Sequence, residues 1–408
     1  MRSNLIIAPI TKLGAGLFGI LLQLYLARVL TASDYGQISL ILSYSAIAFI
    51  LTIGPLGKFF YRSYLLQNSA DASEQRLSTL KTHVIYSVAA ALVGSICASL
   101  LSAGLQLRQE LVLSFFLFYL FGSAFSDLTT NYLQGRGRVF LGEAFLALRA
   151  CFVLLTVIWV GFSFKLSISN VICIIGVCYF LFGSVFFLVY QPGSWASSAP
   201  LTVSLGRILP FIGLGGVAAI NNQIDIVMLG WLSDFESVGL YRTCTVVLAA
   251  ITTIEFSLVR VVIPGIYNEK MTSELIQNLI TKRSRIIFFM ITALCFLLLP
   301  FSDFLFQSVL EASDVRYRTV LLLLFIAQVI SAFFPLAGQV LVINNMEKSV
   351  FYVTALCALL NIILNYAAIK GFNLIGAAFA TGLSLVLRNL MLSVLCRKKL
   401  GIKVGAFL

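Results

Sequence analysis

Lys12, Arg149, Arg242, Arg260 and Arg388 each fall inside a long apolar run of a 408-residue chain, as do the acids Asp127 and Asp225. A charge at the centre of a bilayer costs about 2.5–3.5 kcal/mol on insertion scales, so each needs a partner, a wet cavity or a route to the membrane surface. The chemistry open to these groups is electrostatic. Guanidinium and ammonium groups attract anions, and the planar fork of arginine matches diphosphate oxygens. A carboxylate at the same depth is a place for a proton or a metal cation.

Spacing sorts them further. Lys12 belongs to the stripe Asn4, Ala8, Lys12, Gly16, Gly19 and Gln23, whose steps of four and three keep it on one helix face. Such a face suits a cavity wall, or close helix packing with Lys12 snorkelling to the surface. Arg242 and Arg260 are 18 residues apart, about five turns, so a straight helix presents both on one side. They make either a cationic ladder or two interfacial anchors. Arg149 and Arg388 lie deeper, where lumen or inter-helix roles are expected. Asp225 follows Asn221 by one turn, and Asp127 precedes Asn131 by one turn. These two acids are the candidates for ion coupling. Glu143 opens a span, Lys58 ends one as a boundary anchor, and Glu255 points about 140° away from the arginines of its own helix. Asn361 and Asn365, with Thr354, share a face that could bond sugars or a neighbouring helix.

Several chemistries are excluded. His83 is the only histidine, which rules out a Ser-His-Asp set and, with no cysteine near it, argues against a metal centre. The acids show no paired-carboxylate spacing for glycoside chemistry. No GxxxxGK[ST] segment is present, so ATP is not the direct drive, and no cofactor is expected. The eight cysteines lie in or at the ends of apolar runs without a CxxC pair and read as packing residues.

The elements that must position these groups follow from composition. Sixty per cent of residues are hydrophobic, 11% are charged, and the mean hydropathy is +1.00. Soluble domains average about 25% charged residues, so lipid must surround most of this chain. Runs of about twenty apolar residues without period-two alternation mean helices, not barrel strands. The fold class is all-α and polytopic, with about twelve spans. They are expected over 5–27, 38–58, 82–104, 111–131, 140–162, 168–190, 207–231, 238–262, 286–310, 319–343, 350–369 and 375–396. The N-terminus runs straight into the first span without a cleavage site and reads as retained. With that terminus cytoplasmic, 17 of the lysines and arginines fall on the inner side and six on the outer. This bias orients the bundle N-in and C-in and accounts for most of the +12 net charge, so no nucleic-acid partner is needed.

The chain also repeats itself. The first span ends in Leu26-Ala27-Arg28-Val29-Leu30, followed by Asp34-Tyr35-Gly36. The seventh ends in Met228-Leu229-Gly230-Trp231-Leu232, followed by Asp234, Glu236, Gly239 and Tyr241. An offset of about half the chain, with six spans between copies, implies parallel lobes: 1–190 and 207–396, joined by a polar linker at 191–206 and followed by a cytoplasmic tail at 397–408. Two such lobes suit alternating access around a central pathway.

Those turns carry a resemblance. Leu26 to Gly36 resembles the first-loop signature of Wzx-type polysaccharide flippases. Asn221-Asn222-Gln223-Ile224-Asp225-Ile226-Val227-Met228-Leu229-Gly230, followed by Val238-Gly239-Leu240-Tyr241, resembles that family's seventh-span signature. Pro264, Asn361 to Asn365 and Ile375 to Thr381 fit the same pattern. Arg242 departs from it, standing where the family has a small or polar residue. The resemblance points to the multidrug/oligosaccharidyl-lipid/polysaccharide exporter superfamily. It implies translocation of undecaprenyl-diphosphate-linked repeat units, such as O-antigen, across a bacterial inner membrane. It also implies coupling to H+ or Na+ and work alongside other polysaccharide assembly proteins. Five intramembrane bases argue against the superfamily's multidrug cation antiporters. The short loops argue against a membrane polymerase or transferase, which would need a long catalytic loop.

Overall fold

The computed structural model describes residues 2–66, 73–105, 107–189, 205–263, 273–309 and 316–407. All regular structure among them is helical. The helices are α1 (Arg2–Val29), α2 (Ala32–Leu66), α3 (Ser73–Leu101), α4 (Gln109–Gly135), α5 (Val139–Ser163), α6 (Ile168–Val189), α7 (Leu205–Leu232) and α8 (Phe235–Val262). Then come α9 (Ser273–Asp303), continued by a π-helical turn (Phe304–Val309), α10 (Arg316–Ser331), α11 (Ala337–Ile343) and α12 (Glu347–Leu400). Side chains such as Phe162 (86% exposed), Leu100 (72%) and Phe296 (71%) stand on the outside, as a lipid solvent demands.

Two spans differ from the sequence expectation. The tenth, expected to be continuous over 319–343, breaks into α10 and α11 at residues 332–336. Pro335 sits in the break, where its missing N–H interrupts the ladder. The last two spans form one element, α12. Its 54 residues would reach about 80 Å if straight, far beyond a ~30 Å core. Asn373 turns it instead, with φ 53° and ψ −132°. The two limbs fold back on each other, bringing Cys357 Sγ to 3.9 Å from Met391 Sδ.

The chain forms two compact units. One comprises Met1–Tyr25 and Gln37–Gln223, the other Leu26–Gly36 and Ile224–Leu408. In the first, Leu56, Phe60, Leu80 and Leu128 bury one another beneath Phe59, Val84, Tyr132 and Ile212. His83 stacks on Phe60 with ring centroids 4.4 Å apart. In the second, the turns before α2 and α8 meet. A Cβ on Gly36 would overlap the Phe235 carbonyl oxygen, and a Cβ on Gly239 would overlap that of Ala32. Only glycine permits an approach this close.

The C-terminal segment packs against the helices. Val404 and Ala406 are fully buried. The Ala406 N–H donates to Phe333 O (3.0 Å), Arg285 Nε donates to Ala406 O (3.1 Å), and Ser393 Oγ donates to Val404 O (2.6 Å). Gln277 exchanges two bonds with the Lys403 backbone. Phe407 joins Phe288, Phe289 and Phe333 in an aromatic cluster beneath Arg285. The expected linker lies almost wholly outside the described residues, as does Pro264.

Candidate functional site

The polar intramembrane residues gather into separate clusters, each within one unit. In the first unit, α4 and α5 run side by side, and α4 carries Asp127 one turn before Asn131. Asn131 Nδ2 donates to the Asp127 backbone oxygen at 2.7 Å, so the amide locks onto its own helix. Asp127 Oδ2 is buried without a hydrogen-bond partner. Gly57 of α2 lies directly against it: a Cβ there would collide with Asp127 Oδ2 and Asn131 Nδ2. On α5, Glu143 accepts from Gln134 Nε2 at 3.0 Å through Oε1, while its Oε2 is buried and unpartnered. Both acids line a cavity of about 310 Å³ together with Lys58, Asn131, Gln134 and Pro55.

Two turns along α5, Arg149 lies over the face of Tyr179, 4.5 Å from its centroid. Tyr179 stacks in turn on Tyr119 at 4.4 Å. A guanidinium on an aromatic face is held by the ring quadrupole and keeps its N–H fork unspent. Arg149 Nε has no hydrogen-bond partner, and no carboxylate of the described residues forms an ion pair with it. Its charge nevertheless acts on Asp127.

In the second unit, Asp225 of α7 is buried and bonded on both oxygens. Oδ2 accepts from Tyr241 Oη (2.6 Å, α8) and Thr381 Oγ1 (3.2 Å, α12), and Oδ1 from its neighbour Ile226 N (2.9 Å). Tyr241 and Thr381 are themselves 3.2 Å apart. Three helices therefore converge on one carboxylate, with the charge of Arg242 acting on it from α8. Arg242 Nε is buried without a partner. Deeper on α8, Glu255 Oε2 accepts from Gln328 of α10, and Arg388 of α12 acts electrostatically on Glu255. Sequence spacing compared Glu255 only with its own helix and missed this neighbour.

Asn361 and Asn365 are buried on the first limb of α12. Asn365 Nδ2 donates to Asn361 O (2.9 Å) and Oδ1 (2.6 Å), so the pair is largely engaged with itself. Lys12 and Arg260 lie on α1 and α8, but their side chains are outside the described residues. Among the described residues no three His, Cys, Asp or Glu side chains gather as a metal site would require. Sequence reasoning named Asp225 but not its hydroxyl partners, and it read Lys58 only as an anchor.

In the second unit, Asp234 caps α8. Its Oδ1 accepts from Ser237 N at 2.7 Å, and its Oδ2 from Ser237 Oγ at 3.0 Å and Ser233 Oγ at 3.1 Å. Ser233 Oγ also donates to Asn373 Oδ1 at 2.6 Å, tying the cap to the turn of α12. Partial burial raises the Asp234 carboxyl, but these hydrogen bonds outweigh it and hold the group below the usual carboxylate value.

By sequence, no protein-family model and no curated protein matches this chain. Its structure is similar to that of a multidrug resistance MATE family transporter of the MOP superfamily in an inward-facing conformation. That match has 13% identity, covers 96% of this chain and 98% of the other, and gives a TM-score of 0.75. The lipid II flippase MurJ in an inward closed conformation matches with 13% identity over 96% and 87% of the two chains, at a TM-score of 0.74. A MOP superfamily transporter from Pyrococcus furiosus, described as having a binding pocket of reversed polarity, matches with 12% identity over 97% and 95%, at 0.64. This polytopic helical chain has the fold of the MOP superfamily transporters.

Proposed function

We propose that this chain is a flippase that moves polyprenyl-diphosphate-linked oligosaccharide repeat units, of O-antigen or a similar surface polysaccharide, across the bacterial inner membrane. The observation that carries the reading is Arg149. It is an intramembrane guanidinium held on Tyr179 with no carboxylate partner and with Nε unspent, which is the arrangement an anionic diphosphate needs. Arg242, Arg388, Lys12 and Arg260 extend the cationic pathway, and Asn361 and Asn365 contribute to sugar binding. The lobes 1–190 and 207–396 rock about the linker at 191–206, exposing the pathway to each side in turn. Coupling to H+ or Na+ runs through Asp225 and Asp127. The fold shared with a lipid II flippase supports a lipid-linked substrate.

Deleting the gene in its host tests this reading. Lipid-linked repeat units should accumulate on the cytoplasmic leaflet and surface glycan should fall. Unchanged surface glycan with altered drug tolerance would favour the second reading, a multidrug cation antiporter. That alternative draws on the MATE-like fold and on the buried carboxylates Asp127, Glu143 and Asp225, which would attract a cationic drug.

A further inference from the structure

The segment after α12 gathers charge as well as hydrogen bonds. It leaves the helix at Gly401 and lies against the start of α9. Gln277 holds the Lys403 backbone there, and Arg285 Nε holds Ala406 O. Basic residues from three stretches of chain meet as a result: Lys282 and Arg285 on α9, Arg397, Lys398 and Lys399 in the last turn of α12, and Lys403 on the segment itself. All six are exposed, and none is in an ion pair among the described residues. Glu274 is the only acid in either 273–285 or 396–408. An orienting charge bias needs no contact between its bases. Here a folded segment draws them together, and Arg285 spends only Nε on a hydrogen bond among the described residues.

The same seam has an apolar side. Phe407 is 52% exposed and Phe289 55%, their ring centroids 6.0 Å apart at 90°. Arg285 lies over the Phe407 ring at 5.3 Å, and Ile286 and Met290 continue the exposed apolar surface along α9. An exposed apolar surface marks a contact with a membrane or a partner, and one edged with cations matches the boundary between lipid headgroups and hydrocarbon. We propose that the seam between the start of α9, the end of α12 and residues 401–407 is a binding surface for an anionic phospholipid of the surrounding bilayer. The headgroup phosphate meets the bases, above all the fork of Arg285, whose planar geometry matches phosphate oxygens. The acyl chains lie along Phe407, Phe289 and Met290. A soluble anion would use the charge and leave the rings bare; a phospholipid uses both. The inference does not depend on what the protein transports.

The test is electron spin resonance on the full-length protein in phosphatidylcholine vesicles, with a trace of spin-labelled phosphatidylglycerol or spin-labelled phosphatidylcholine. The spectrum separates lipid immobilised on the protein from lipid of the free bilayer. The wild type should hold the anionic label about fivefold more tightly than the zwitterionic one, or better, since each base at an anionic headgroup contributes roughly that factor. Sodium chloride should shrink the preference. Lys399→Gln combined with Lys403→Gln should remove most of it, as should Arg285→Gln. Arg136→Gln combined with Arg138→Gln, which removes as many bases from the first unit, should leave it in place. Equal immobilisation of the two labels by the wild type would overturn the proposal, and that result needs no variant to fold. An equal loss in the Arg136 and Arg138 control would also overturn it, leaving only a diffuse positive field. So would displacement of the label by inorganic phosphate but not by chloride at the same ionic strength, which would make the seam a site for a soluble anion.

Discussion

Gly36 and Gly239 lie face to face, each backbone filling the space where the other's surroundings would otherwise admit a side chain. The contact is reciprocal. Gly36 meets the carbonyl of Phe235, and Gly239 meets that of Ala32. The same 203 residues separate Gly36 from Gly239 and Ala32 from Phe235. The caps repeat at this interval too: Thr31 Oγ1 accepts from Asp34 N at 3.1 Å, and Asp234 Oδ1 accepts from Ser237 N at 2.7 Å. The two turns pack on one another through contacts that recur at this interval.

Replacing either glycine by alanine should destabilise the protein, because the new methyl meets backbone and neither helix start can yield without the other. Overpacking in a tight core costs about 1–3 kcal/mol, and a backbone collision belongs at the upper end. Thermal unfolding of purified Gly36→Ala and Gly239→Ala in detergent should show similar losses. A double variant that loses much less than the two singles combined would fit one shared contact.

The cap at Asp234 gives a pH-dependent prediction. Its carboxyl is held below the ordinary value, so its contribution to stability is present above the unfolded-state pKa of about 3.9 and is lost as pH falls through the folded-state value. Asp234→Ala should cost about 1 kcal/mol at neutral pH. The gap in melting temperature between wild type and variant should close as the buffer is made acidic. A gap that widened in acid would mean that the cap is not the stabilising contact.

Arg149 should be more than a positive charge. Arg149→Lys keeps the charge but loses the planar stack on Tyr179 and the fork for a diphosphate. Transport of a lipid-linked oligosaccharide should fall about 10- to 100-fold in Arg149→Ala, matching the ~1.5–3 kcal/mol of a hydrogen bond to a charged group. Arg149→Lys should recover little of it. Full activity in the lysine variant would reduce Arg149 to an electrostatic role.

The hydroxyls around Asp225 carry a fourth expectation. Tyr241→Phe removes the 2.6 Å donor to Asp225 Oδ2 while keeping the ring, and should cost about 1.5–3 kcal/mol of stability. Asp225→Asn leaves an amide facing two hydroxyls and should abolish dependence of transport on the coupling ion while protein is still made. Ion-dependent transport at wild-type levels in Asp225→Asn would move coupling elsewhere.

Much of this architecture was legible because lipid imposes a simple rule. Every long apolar run must be a helix, so the spans and the all-α class follow from hydropathy. What sequence could not supply was which helices share a neighbour. Glu255 was compared with the arginines of its own helix, whereas Gln328 and Arg388 approach it from α10 and α12. Tyr241 read as part of a turn signature, and only the convergence of α7, α8 and α12 makes it a partner of Asp225. Asn373 turns α12 through a positive φ that an asparagine between apolar runs does not announce. Glu143 looked like a helix start until Gln134 was brought beside it.

The C-terminal segment was the least legible element, because Gly401 to Leu408 carries no apolar run long enough to stand out. Its backbone nevertheless bonds to α9, to the break before α11 and to α12. Gly401 ends α12 with φ 70°, the left-handed turn that sends the chain back across the helix ends. Fully burying a valine is worth about 1.5–3 kcal/mol and each hydrogen bond about 0.5–1.5, so deleting residues 401–408 should cost several kcal/mol. Val404→Asp should reproduce much of that loss by placing a charge where no partner waits. Hydrogen exchange should quicken at the start of α9, around Gln277 and Arg285, before it changes in α4 or α5. Exchange that is unaltered at α9 in the truncated protein would show that this strap merely rests on the helices and does not hold them.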